Sequence, residues 1–170
     1  QGQTLLRSGA IETHAFLLIE GALRLLAEDL YRKELFTVGR VDEGELVGVI
    51  DLLRQGPCEA AIARRPSQLL SIPQTLLIEL YVADEGLRNG LNSLKSPCES
   101  AIIMTRVMKG LNPPPKNGKE WILKQIEVNK DEKTEQGVKL LSSVIPNYEH
   151  LIGNNLTEDQ INELQVKSNI

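Results

Sequence analysis

The chain has 170 residues, of which 41% are apolar and 25% charged, with a formal net charge of −4. That length suits one domain with an appendage or two small units, and the acidic balance argues against nucleic acid as a partner because no overall basic field would attract it. The longest apolar runs, such as Leu69 to Ala83, are interrupted by Pro73, Gln74 and Glu79 and fall short of the ~20 residues that span a bilayer, so no direct membrane insertion by this segment is expected.

The N-terminus, Gln-Gly-Gln, has no initiator Met and no signal-type apolar region, and reads as a cut from a longer chain. From Thr4 to Ile72 short β-type runs alternate with turn residues. Ala15 to Gly21 and Ala22 to Glu28 flank Gly21, a natural hairpin or bulge position because glycine tolerates positive φ. Glu34 to Val41 follows a charged turn, and Val41 to Gly48 supplies a second Gly-marked reversal. Ala60 to Ala63 and Gln68 to Pro73 complete a series spaced at roughly ten residues, as in an antiparallel sandwich or barrel. The fold class expected is mainly β with α: an antiparallel, jelly-roll-like β-roll followed by helices, not a βαβ unit.

After Pro73 the periodicity changes. QTLLIELYVA places Leu76, Leu77, Leu80 and Tyr81 on one helical face. Ser96 to Leu111 carries the strongest helix signal: Ser96 with Glu99 makes a capping box, Pro97 falls at the first helical position, and Gly110 lies near the end. Its stripe of Ile103, Met104, Val107, Met108 and Leu111 is the candidate interface, packing either on its own roll or on a second copy in a homodimer.

Asn112 to Lys119 contains three consecutive prolines, which stop a helix and favour an extended spacer. All arginines precede it. The expected division is a β-roll with C-terminal helices over 1–111, then a Pro-rich linker and the leading segment of a following domain over 112–170. That second part contains Trp121, a strand expected over Lys139 to Ile145, and a capping box at Thr157 and Gln160.

Little in the chain suggests catalysis or a metal. Cys58 and Cys98 are far apart with no Cys/His cluster nearby, and the two histidines, His14 and His150, stand alone, so no four-ligand zinc set presents itself. GxSxG, HExxH and GxxxxGK[ST] are absent, and His14 with Glu12 is a pair that strands offer by chance. Neither an enzyme nor a cofactor is expected.

The residues Ile19 to Leu26, Gly44-Glu45, Gly48 to Leu53 and Gly56 to Ala63 give the first two thirds of the chain a pattern that resembles the cyclic nucleotide-binding domain superfamily, an eight-stranded roll followed by helices. In that family a cassette of the form Gly-Glu-(apolar)-Ala-Leu-Leu followed by Pro-Arg-Ala-Ala binds the nucleotide. The Glu takes a ribose hydroxyl and the Arg pairs with the cyclic phosphate, a charge-assisted contact. The resemblance places the glycine at Gly48, the Glu position at Val49 followed by Ile50, the proline at Pro57, the Arg position at Cys58, and the small pair at Ala60 and Ala61. Both charged groups are missing. Each such loss costs ~2–5 kcal/mol, so the resemblance implies a degenerate cassette that does not bind cyclic nucleotide. Glu59 would repel a phosphate, and Arg54, Arg64 and Arg65 read as solvated surface residues. Two readings of the cassette stay open: a short helix plugging the end of the roll with Ile50, Leu52 and Leu53 in the core, or a site for another small molecule at the backbone amides of the helix start.

A narrower likeness rests on Val41 to Ala63, on Ser71-Ile72-Pro73 and on Leu140 to Leu156. This pattern is similar to the N-terminal regulatory region of cyanobacterial ABC exporters of the peptide- or toxin-secretion (C39-peptidase) type. It implies a noncatalytic, cytoplasmic regulatory or interaction domain whose partners are the other domains of the parent exporter. A ligand sensor controlling transport is the alternative.

Overall fold

The computed structural model describes residues 2–7, 9, 13–29, 31–54, 59–94, 96–129, 159 and 162. Seven strands are described: β1 (Thr4–Leu6), β2 (His14–Glu20), β3 (Leu23–Glu28), β4 (Leu35–Val41), β5 (Leu46–Val47), β6 (Ala61–Ala63) and β7 (Gln68–Pro73). They form two antiparallel sheets, one ordered β1-β6-β3-β4 and the other β5-β2-β7. Leu6, Leu18, Leu23, Leu25, Val41, Val47 and Ala61 are contributed by both sheets and make the core of the roll. The period-2 alternation of strands sends these residues to one face, and their burial is the main stabilising term.

The runs on either side of Gly21 are strands, but they do not form a hairpin. β2 pairs with β5 and β7, whereas β3 pairs with β4 and β6, so Gly21 is the corner at which the chain leaves one sheet for the other. Gly21 has φ of +116°, and a Cβ there would lie 2.2 Å from Ser67 Oγ. The corner is tied down by Gly21 N–H donating to Glu43 Oε1 (3.1 Å), Ala22 N–H to Ser67 Oγ (3.3 Å) and the Arg65 guanidinium to the Gly21 carbonyl (2.9 Å).

Five helices are given bounds among the described residues: α1 (Val49–Arg54), α2 (Gln74–Ala83), α3 (Glu85–Asn92), α4 (Pro97–Gly110) and α5 (Gly118–Asn129). In α2 the packed face is Leu77, Ile78 and Tyr81, while Leu76 and Leu80 are 44% and 42% exposed, which corrects the expected face by one position. The reason is α3. Asp84 caps it by accepting the Leu87 N–H (2.8 Å), and the Tyr81 hydroxyl donates to Asn92 Oδ1 (2.8 Å), turning the Tyr81 side of α2 inward. α1, α2 and α3 close a second cluster with Ala15, Leu46 and Ile72.

α4 begins at Ser96, whose hydroxyl oxygen accepts from Cys98 N–H (3.3 Å). Its stripe packs within the chain: Ile103, Met104, Val107 and Met108 are buried with Phe36 and Ile122, and only Leu111 stays exposed. Ile122 belongs to α5, beyond the triple proline, so the packed unit does not end at 111 but runs through α5. The strand expected over 139–145 and the capping box at Thr157 and Gln160 lie outside the described residues.

Ile122 is 0% exposed. Ile122→Ala is expected to lower the stability of the whole unit by ~2–4 kcal/mol, as measured by urea unfolding. A loss below about 0.5 kcal/mol, the usual range for a surface change, would mean that α5 is a linker and not part of the core.

Candidate functional site

The site is the turn of helix between β5 and β6. Gly48 has φ of +87°, and a Cβ there would lie 3.0 Å from the His14 carbonyl oxygen and 3.4 Å from Ala15 Cα. Glycine therefore lets the chain turn hard against β2 as α1 starts. Val49, Ile50, Leu52 and Leu53 are all buried, packed with Leu77, Ile78, Tyr81 and Leu91. Val49 is 1% exposed, an apolar side chain in an apolar setting at the position where the resemblance puts a ribose-binding carboxylate.

The charged residue of this site is Glu59, which is 5% exposed. Its Oε2 accepts the Gly48 N–H at 2.6 Å, and the Ile50 N–H also donates to this carboxylate. Its Oε1 accepts the Ser96 hydroxyl at 2.8 Å. The backbone closes the loop from the other direction, because Glu59 N–H donates to Asp51 Oδ1 at 2.8 Å. One carboxylate therefore satisfies amides at the start of α1 and holds the N-cap serine of α4. Helix starts leave such donors unsatisfied, and an anion is the natural acceptor for them.

Burial pushes the Glu59 carboxyl above its ordinary range. The bonds from Ser96, Gly48 and Ile50 oppose that rise, and the nearby Asp51 charge adds to it. Cys98 lies alongside, 2% exposed, with Sγ 3.4 Å from the Leu26 carbonyl oxygen and 3.9 Å from that of Ala60. Burial, with the Glu59 charge as a smaller cause, pushes its thiol up to about 11. That is a small core residue with a weak donor, not a nucleophile.

The sequence-derived positions divide as follows. Gly48, Val49, Ile50, Ala60 and Ala61 are all buried, Val49 and Ile50 in the cluster closed by α1, α2 and α3 and Ala61 in the core of the roll. Pro57 and Cys58 lie outside the described residues, as do Glu12, His150 and the Arg54 side chain. Arg64 and Arg65 are exposed, and Arg65 is engaged at the Gly21 corner and with Glu43 (3.3 Å). His14 is exposed, with Nδ1 2.9 Å from Thr13 Oγ1. Sequence reasoning missed the role of Glu59, which was expected to repel a ligand from the cassette and instead fills the place of one. The available signal was an acidic residue directly before a pair of alanines entering a buried strand. Among the described residues no group of three or more His, Cys, Asp or Glu side chains is placed to hold a metal, and no described helix is long and apolar enough to cross a membrane.

The cyclic nucleotide-binding domain family model matches residues 1–84. The two-sheet antiparallel roll, the turn of helix between β5 and β6 and the helices that follow are the fold of that domain class. Among solved structures the chain is similar to the EAL enzyme Bd1971 in its cAMP bound form, at 17% identity over 66% of this chain and 32% of that one, with a TM-score of 0.47. It is also similar to a transcriptional regulator from Thermotoga maritima (16% identity, 54% and 71% covered, TM-score 0.47) and to the Thermus thermophilus Catabolite Activator Protein (19% identity, 81% and 77% covered, TM-score 0.44). No curated protein matches the sequence significantly.

Glu59→Ala leaves the Gly48 and Ile50 amides and the Ser96 hydroxyl without their acceptor, at ~1–3 kcal/mol per buried group, so a loss of about 3 kcal/mol or more is expected. Glu59→Gln tests the charge. A carboxyl raised in the folded state binds its proton more tightly there than in the unfolded chain, so it makes stability fall as pH rises from near 4.5 through the raised value. The stability of the natural chain relative to Glu59→Gln, measured by urea unfolding between pH 4 and 8, is expected to decline with rising pH. A flat or rising difference would contradict the assignment.

Proposed function

We propose that the chain is a noncatalytic regulatory or interaction domain, built on a cyclic-nucleotide-binding fold whose cassette is held by its own Glu59 carboxylate rather than by a nucleotide. One observation carries this reading: donors that open α1 and cap α4 are already spent on an internal anion, at 2.6 Å from Gly48 N and 2.8 Å from Ser96 Oγ. A cyclic phosphate seated there would have to displace Glu59 and then lie beside a carboxylate. Two unit charges 4 Å apart at an effective dielectric of 20 repel by ~4 kcal/mol, close to a thousandfold in affinity. No compensating charge comes from Val49. On the sequence likeness the parent protein is an ABC-type secretion exporter, and the domain serves on its cytoplasmic side by contact with other domains of that exporter.

The family match over residues 1–84 favours a second reading, a sensor that binds a small molecule with different affinity in two conformations. Isothermal titration of the full chain with cyclic AMP and cyclic GMP at millimolar concentration separates the two. No heat of binding is expected from the natural chain. Micromolar binding would overturn the filled-cassette reading and put the sensor first.

A further inference from the structure

The outer face of the four-stranded sheet carries a charge arrangement that the cassette does not use. Leu23, Leu25 and Val41 face the core, so Arg24 and Arg40, directly opposite one another on β3 and β4, point away from it. Arg24 is in turn opposite Ile62 on β6, and Ile62 is opposite Thr4 on β1. The result is one row across all four strands, Arg40, Arg24, Ile62, Thr4. Two residues on from Ile62, exposed Arg64 continues the β6–β3 pairing through its N–H to the Ala22 carbonyl (2.9 Å), which places it on the same side as Ile62.

Like charges directly opposite on neighbouring strands repel, and none of these three arginines forms an ion pair among the described residues. The Nε of Arg24 is moreover buried without a hydrogen-bond partner among the described residues. A desolvated guanidinium N–H left unmet is unusual in a folded chain and calls for an acceptor. Arg24 is half-buried and Arg40 exposed, so part of the row is open to an acceptor from outside the chain.

We propose that this face docks an acidic polypeptide segment of a partner, with Arg24 as its anchor. A carboxylate of the segment pairs with the accessible part of the Arg24 guanidinium and with Arg40 beside it, a charge-assisted contact that suits arginine. Arg40 and Arg64 supply further charge, and Ile62, next to Arg24 in the row, supplies an apolar contact. Three cations beside an apolar residue in a chain of net charge −4 fit a carboxylate-bearing peptide better than nucleic acid, which needs a longer basic track. The surface is separate from the cassette, so the proposal does not depend on what Glu59 does.

The test is titration of the full-length, 15N-labelled chain with hexaglutamate, followed at the arginine side-chain Nε–H resonances. The Arg24 resonance is expected to move and saturate, with binding weakened at least tenfold by Arg24→Gln, severalfold by Arg40→Gln, and progressively by salt. Arg40 is exposed, so its variant tests the surface even if Arg24→Gln disturbs the sheet. No movement up to millimolar peptide, or equal affinity in both variants, would overturn the proposal. So would inorganic phosphate binding the face as well as the peptide does, or vesicles of anionic lipid binding through Arg24 where the peptide does not.

Discussion

The bond network of the Glu59 carboxylate ties the cassette to the helices that follow it. It joins three segments that are distant in sequence: the Gly48 turn that opens α1, the start of β6, and the Ser96 cap of α4. Removing a carboxylate from water is costly, and the cost is offset only where several donors converge on it. Here two backbone amides and a hydroxyl converge and offset part of that cost, burial still holding the carboxyl above its ordinary range. The same geometry fixes α4, because Ser96 gives its proton to Glu59 while its oxygen receives the Cys98 amide. The cassette and the C-terminal helices are therefore one mechanical unit.

That coupling bears on what a domain of this class does inside a larger protein. A ligand shifts a conformational equilibrium only through its different affinity for the two states. With the Gly48 amide satisfied internally, the start of α1 is tied through Glu59 to the start of β6 and to the Ser96 cap of α4 by bonds within the chain. On the proposed reading, information enters through surfaces rather than through the pocket. The arginine row on the outer sheet, which forms no ion pair among the described residues, is the surface proposed for such contact.

Much of this was legible in the residues. The strands were found because alternation and turn chemistry agree, and α4 because serine, proline and glutamate stand at the positions a helix start requires. α3 was missed: Gly86 and Gly90 in its eight residues hide the helical pattern, and tertiary contact through Leu91 and Tyr81 supplies what propensity lacks. α5 was hidden by the prolines before it, which stop a helix locally but say nothing about whether the chain folds back. Gly21 signalled a reversal, yet a single glycine cannot tell a hairpin from a crossing between sheets. Glu59 was misread because charge is normally placed at the surface. Only the convergence of Gly48, Ile50 and Ser96, which no local pattern encodes, makes its burial sensible.

The role of Glu59 is decided by following the Gly48 and Ile50 amide resonances during titration with cyclic AMP, in the natural chain and in Glu59→Ala. Both amides are expected to stay still in the natural chain up to millimolar nucleotide, and to shift strongly when the carboxylate itself is removed. Movement of these amides by nucleotide in the natural chain, or indifference to the loss of Glu59, would show that the carboxylate does not hold the cassette.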